Sequence, residues 1–62
     1  MNRGEFLKYM RAQGCMFVRE GRRHSWWKNP SQNRYSSVPR HTEISDQLAR
    51  KICKDLGIPP VK

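Results

Sequence analysis

Two histidines, His24 and His41, carry the side chains of this 62-residue chain that exchange protons near neutral pH. Cations crowd both of them: Arg22 and Arg23 precede His24, Lys28 follows it, and Arg40 precedes His41. An imidazole among guanidinium groups can move a proton while the cations stabilise an anion formed beside it. Other chemistries have weaker footing. Cys15, His24, His41 and Cys53 are four potential zinc ligands, but separations of 9, 17 and 12 residues contain no short ligand pair. The five carboxylates are scattered and form no cluster of the kind a two-metal centre uses. Neither a Ser-His-Asp nor a Cys-His arrangement is suggested, and Cys15 belongs to a stretch expected to be a buried strand. No metal is therefore expected.

Thirteen Lys and Arg against five Asp and Glu give a net charge of +8. Such an excess points to a polyanionic partner: nucleic acid, an anionic membrane or an acidic protein. The chain is long enough for one domain, residues 1–62, which buries only about 60% of its unfolded surface. That size leaves little room for an organic cofactor, and none is expected. No apolar run is long enough for a membrane span or a signal peptide, so no membrane association is expected. Two cysteines are too few for a secreted disulfide scaffold, which favours a cytoplasmic setting.

Five elements must position the candidate residues. Residues 2–13 read as a helix: Asn2 and Glu5 have capping-box spacing, Phe6, Leu7 and Met10 share a face, and Gly14 ends it. Residues 15–19 and 24–28 read as strands joined by the polar turn at 20–23. A turn-rich segment at 29–33 leads to a third, weaker strand at 34–38, closed by Pro39. Ser45 caps a last helix in which Leu48, Ile52 and Leu56 recur every four residues, widened by Ala49 and Cys53, until Gly57. The fold class expected is α+β, an α-β-β-β-α order with an antiparallel three-stranded sheet and both helices on one face.

Strand alternation sorts the side chains. With Ser25 and Trp27 facing the helices, His24, Trp26 and Lys28 face away. Ser36 and Val38 then point inward, and Tyr35 and Ser37 outward. A hairpin closed at 29–33 is expected to set Trp26 opposite Tyr35 and His24 opposite Ser37. Adjacent strand residues cannot share a core, so one of the two tryptophans must be exposed or covered by a partner.

The first helix ending in Gly14, Val18-Arg19, a turn leading to His24, and Val38-Pro39-Arg40-His41 together resemble the HicA toxins. Residues 48–58 are similar to that family's closing helix, so the likeness covers nearly the whole chain. One departure stands out: the family's Gly-Ser-His is here Gly21-Arg22-Arg23-His24. The resemblance implies a double-stranded-RNA-binding-domain-like fold and a small bacterial ribonuclease acting on messenger RNA. It also implies neutralisation by an antitoxin called HicB, and a functional histidine at His24.

Each candidate has a plainer alternative. His24 is either an exposed strand residue with no role or the group that moves the proton, taking it from a 2′-hydroxyl or giving it to the leaving 5′-oxygen. Arg22, Arg23, Lys28 and Arg40 are expected to stabilise the phosphorane-like transition state. His41 reads as a loop residue that binds phosphate or caps the second helix, or as a second acid–base group. Arg50, Lys51 and Lys54 form either a solvated helix face or a contact with RNA or with an acidic antitoxin surface. Trp26 and Tyr35, on the open sheet face, are candidates for the antitoxin interface. The runner-up reading is an RNA-binding module that does not cut. A cationic membrane-active peptide fits poorly, because the apolar stripes are narrow and the middle reads as strands.

Overall fold

A computed structural model describes residues 1–61. The elements are α1 (Arg3–Ala12), β1 (Met16–Glu20), β2 (His24–Asn29), β3 (Arg34–Pro39) and α2 (Asp46–Leu56). The strands form one antiparallel sheet in the order β1-β2-β3. This is the α+β architecture expected from the sequence.

Local signals set the boundaries. Asn2 Oδ1 accepts a hydrogen bond from the Glu5 N–H at 3.2 Å, and Ser45 Oγ accepts one from Leu48 N–H at 3.2 Å, so each helix starts on a side-chain cap. Gly57 ends α2 at φ +71°, the left-handed conformation that a side chain would strain. The β2–β3 hairpin then caps the same helix end. Asn29 Nδ2 donates to Leu56 O at 2.7 Å, Gln32 Nε2 to Gly57 O at 2.8 Å, and Arg34 Nη1 to Lys54 O at 3.0 Å. Two of the helix's last carbonyls and that of its capping glycine are thus satisfied from across the fold.

Both helices supply the same core. Phe6 and Met10 from α1 meet Trp27 and Val38 from the sheet and Ala49, Ile52, Cys53 and Leu56 from α2. Leu7 and Leu48 pack at its margin, half-buried. Alternation is as the sequence required: Ser25, Trp27, Ser36 and Val38 are buried, while His24, Trp26 and Tyr35 are exposed. Trp27 is 1% exposed and Trp26 37%.

Two expectations need correction. The hairpin register pairs Trp26 with Ser37, Lys28 with Tyr35 and His24 with Pro39, not Trp26 with Tyr35 and His24 with Ser37. Asn29 stays in the strand because its buried amide holds Leu56 O, so it pairs with Arg34 and shortens the loop to residues 30–33. The slip is by two residues, which preserves the faces. The first strand is also not buried. Cys15 is buried but precedes β1, and all five residues of β1 are exposed. The cause is position: β1 lies at the edge of the sheet, while α2 packs along β3. A bulge at Val18, between Phe17 and Arg19, bends this edge.

Candidate functional site

At the end of the sheet where β2 begins and β3 ends, an open cleft of about 560 Å³ is lined by Arg22, Arg23, His24, Pro39, Arg40 and His41. Five of the residues singled out from the sequence converge there. Two segments form its walls, the β1–β2 turn with the first residue of β2, and the chain leaving β3. Antiparallel pairing of His24 with Pro39 brings them side by side.

The turn is tight. Gly21 N–H donates to His24 O at 2.7 Å and closes the hairpin around Arg22 and Arg23. A Cβ on Gly21 would stand 2.9 Å from Trp26 Nε1 and 3.0 Å from His24 O, so a side chain here would displace the indole or the turn. The glycine's place at 21 is therefore set by Trp26, and it frees both following positions for arginine.

A polar chain fastens the two walls together. Arg3, the first residue of α1, donates from Nε to Pro39 O at 2.7 Å and from Nη2 to Ser25 Oγ at 3.0 Å. Ser25 Oγ donates to the Glu20 carboxylate at 3.0 Å. Glu20 in turn accepts from Arg40 Nε at 2.7 Å. Arg40 continues to the turn, with Nη1 donating to Arg22 O at 3.2 Å and Nη2 to Gly21 O. The Arg40 bond, helped by that of Ser25, holds the Glu20 carboxyl below its ordinary range. Glu20 is thus an ionised anchor. Arg40 uses three of its five N–H donors on this frame and keeps two for a ligand.

His41 lies in a loop, yet both neighbours are fixed. Arg40 is tied as described, and Thr42 O accepts from Arg3 N–H at 2.8 Å. Further along, Ile44 N–H donates to Met1 O at 2.8 Å. The imidazoles of His24 and His41 are exposed on this pinned backbone.

The remaining candidates lie elsewhere. Lys28 is four residues along β2 from His24, about 13 Å at strand rise, beside Tyr35 and Met16. Arg50, Lys51 and Lys54 are on the exposed side of α2 and do not line the cleft. Lys51 already pairs with Asp55 at 2.9 Å, which lowers the affinity of that carboxyl for protons, so an acid does sit within this basic face. Trp26 stands on the open sheet face between Arg19 and Ser37. Arg3 and Glu20 were not expected in the site. Their partners lie 36, 22 and 20 residues away, and no local pattern announces such contacts.

Burial raises the proton affinity of both cysteine thiols, which are free and enclosed in the core. Among the described residues, no three His, Cys, Asp or Glu side chains gather into a metal-holding group. No helix among them is long and apolar enough to cross a membrane.

A small basic domain with a histidine and arginine cleft on a three-stranded sheet is the class these features define. Residues 3–58 match the family model described as HicA toxin of bacterial toxin–antitoxin, so the chain belongs to the HicA toxin family. No curated protein and no solved structure gave a significant match. Membership makes the chain the toxin member of a toxin–antitoxin pair, in a family whose toxins are generally ribonucleases, with an antitoxin as its partner.

Proposed function

We propose that this toxin is an endoribonuclease that cuts messenger RNA in the bacterial cytoplasm through His24, without a metal, and that a HicB-type antitoxin neutralises it. The observation that carries the reading is the convergence of His24, Arg22, Arg23, Arg40 and His41 on one cleft. Cleaving RNA through its own 2′-hydroxyl needs a proton moved and charge neutralised at phosphorus. The resemblance to the family assigns His24 to the first task. Arg22 and Arg23, whose side chains extend from the turn, suit the second, since a guanidinium fork matches a phosphate. Arg40 supports them chiefly through the turn it braces. The imidazoles and guanidinium groups that line the cleft supply the proton-transfer and charge-stabilising groups that a metal-free reaction uses.

The cations outside the cleft serve at longer range. Lys28, Arg50, Lys51 and Lys54 add to the +8 charge that draws RNA to the surface, a force that weakens with salt. Trp26 and Tyr35 are the exposed aromatics of the open face, suited to an acidic partner with an apolar pocket that covers the adjoining cleft.

Incubation of the purified protein with RNA in excess EDTA, beside a His24→Ala control, tests this reading. Cleavage that survives chelation and falls by about 10²- to 10⁴-fold in the variant is the expected result. An unchanged rate in a folded His24→Ala protein refutes the role of His24, and loss on chelation restored by added metal refutes the metal-free route.

A further inference from the structure

Breaking an RNA strand by attack of its 2′-hydroxyl requires two proton transfers. The 2′-oxygen loses a proton as it bonds to phosphorus. The 5′-oxygen gains one as its bond to phosphorus breaks, leaving a 2′,3′-cyclic phosphate and a free 5′-hydroxyl. One histidine accounts for one transfer. The residue that serves the other is therefore to be sought in the cleft.

The cleft narrows the choice. Its lining is Arg22, Arg23, His24, Pro39, Arg40 and His41. Arginines do not give up a proton in a protein, and proline has none to give. Glu20 is exposed, does not line the cleft, and is committed to Arg40 and Ser25, which makes its carboxylate a poor base. Lys28 and Tyr35 are paired with each other near the far end of the sheet. Only His41 remains as a second group that exchanges protons near neutral pH.

Resting on the reading above, we propose that His24 and His41 act as a couple, one as general base at the 2′-hydroxyl and the other as general acid at the 5′-oxygen. A loop residue suits such a role only when its backbone is fixed, and this one is. Arg40 before it is tied to Glu20 and to the turn, and Thr42 after it is tied to Arg3. Arg3 also holds Pro39, the partner of His24 in the sheet, through its side chain, so one residue, by its main chain and its guanidinium, anchors both sides of the couple. The main chain that carries His41 is thus held on both sides, at Pro39 O and at Thr42 O, which favours the preorganisation that proton transfer demands. The proton taken up by the base and the proton given by the acid leave the couple with its two roles exchanged, and solvent resets it.

A substrate with sulfur in place of the bridging 5′-oxygen separates the roles. A thiolate leaves without protonation, since its conjugate acid has a pKa of only about 8.5 in cysteine. His24→Ala and His41→Ala are each compared with the wild type on the oxygen and sulfur substrates, with thermal melts confirming the fold of both variants. Each variant is expected to lose about 10²- to 10⁴-fold on the oxygen substrate. One of them, and only one, is expected to recover on sulfur. The wild-type rate is expected to be bell-shaped in pH, and each variant is expected to lose one limb.

Full activity of His41→Ala beside a dead His24→Ala would overturn the couple while leaving the nuclease reading intact. Equal losses of His41→Ala on both substrates, with both pH limbs kept, would make His41 a phosphate binder and overturn it too. Absence of cleavage by the wild type on either substrate would instead refute the nuclease reading on which the couple rests.

Discussion

Truncation of the two tryptophans should have opposite consequences, because the sheet turns Trp27 into the core and Trp26 toward solvent. Trp27 is 1% exposed, meets Phe17 edge-on with centroids 6.0 Å apart, and has the Arg11 guanidinium 5.1 Å from its ring centre. Trp27→Ala should cost about 3–5 kcal/mol as a large core truncation. The aromatic and cation contacts push it toward the upper half of that range. A chain of 62 residues holds only about 3–9 kcal/mol in total. Trp27→Ala should therefore leave the domain largely unfolded at 37 °C.

Trp27→Phe supplies the control. The indole N–H of Trp27 is buried without a partner among the described residues, so replacing it forfeits no hydrogen bond. The loss should stay near 1–2 kcal/mol, from ring volume alone. Trp26→Ala should cost about 1 kcal/mol, which at this size lowers Tm by about 4–8 °C. Urea titrations followed by far-ultraviolet circular dichroism give all three values without relying on tryptophan emission. A Trp27→Ala protein within 1 kcal/mol of the wild type, or a Trp26→Ala protein that is the less stable of the two, would invert the faces of β2. His24 would then lose its place on the open side, and the cleft argument would fall with it.

Asn29→Ala should destabilise the domain by about 1–3 kcal/mol, because it leaves the Leu56 carbonyl at a buried helix end without its donor; chemical denaturation measures this. Arg40→Ala should slow RNA cleavage, and Arg40→Lys should not restore it, since an ammonium cannot span the Glu20 carboxylate and two turn carbonyls; recovery by lysine would show that charge alone suffices. Glu20 has a folded-state proton affinity below its ordinary value of 4.5, so its contribution to stability is complete above that pH and is lost as acid protonates it. Melting temperature should accordingly fall more steeply below pH 4.5 in the wild type than in Glu20→Gln, and parallel curves would remove Glu20 from the frame.

The elements were legible because each is announced locally. Asn2 and Ser45 cap what they precede, Gly57 stops what it follows, and the apolar spacing of α2 is helical from end to end. Which residues of β2 share a face followed from alternation, once Ser25 and Trp27 were taken as the inward set, and a two-residue slip of register leaves that division unchanged. The slip itself was not legible. It depends on the Asn29 amide reaching Leu56, 27 residues later, and no hairpin rule contains that contact. Exposure of β1 was hidden for a related reason: Met16, Phe17 and Val18 are apolar, and only the packing of α2 along β3, the opposite edge, leaves them uncovered.

The candidate site divides along the same line. Its reactive groups were legible by type, for histidines and arginines are few enough in kind to be chosen on chemistry alone. Its frame was not, because Arg3, Ser25 and Glu20 look like an ordinary helix start, a strand serine and a strand end. They matter through contacts that fold closure creates, and those contacts explain the division of labour among the arginines. Arg22 gives the frame only its carbonyl oxygen, and neither turn guanidinium takes part in it, so both are available to a phosphate. Arg40 spends three donors holding the turn in place, so its removal should disturb the whole cleft, whereas loss of either turn arginine should subtract one contact. A fully basic surface could attract RNA without any of this. Placing two imidazoles at one phosphate takes the fixed backbone that one glutamate, one serine and two braced arginines provide.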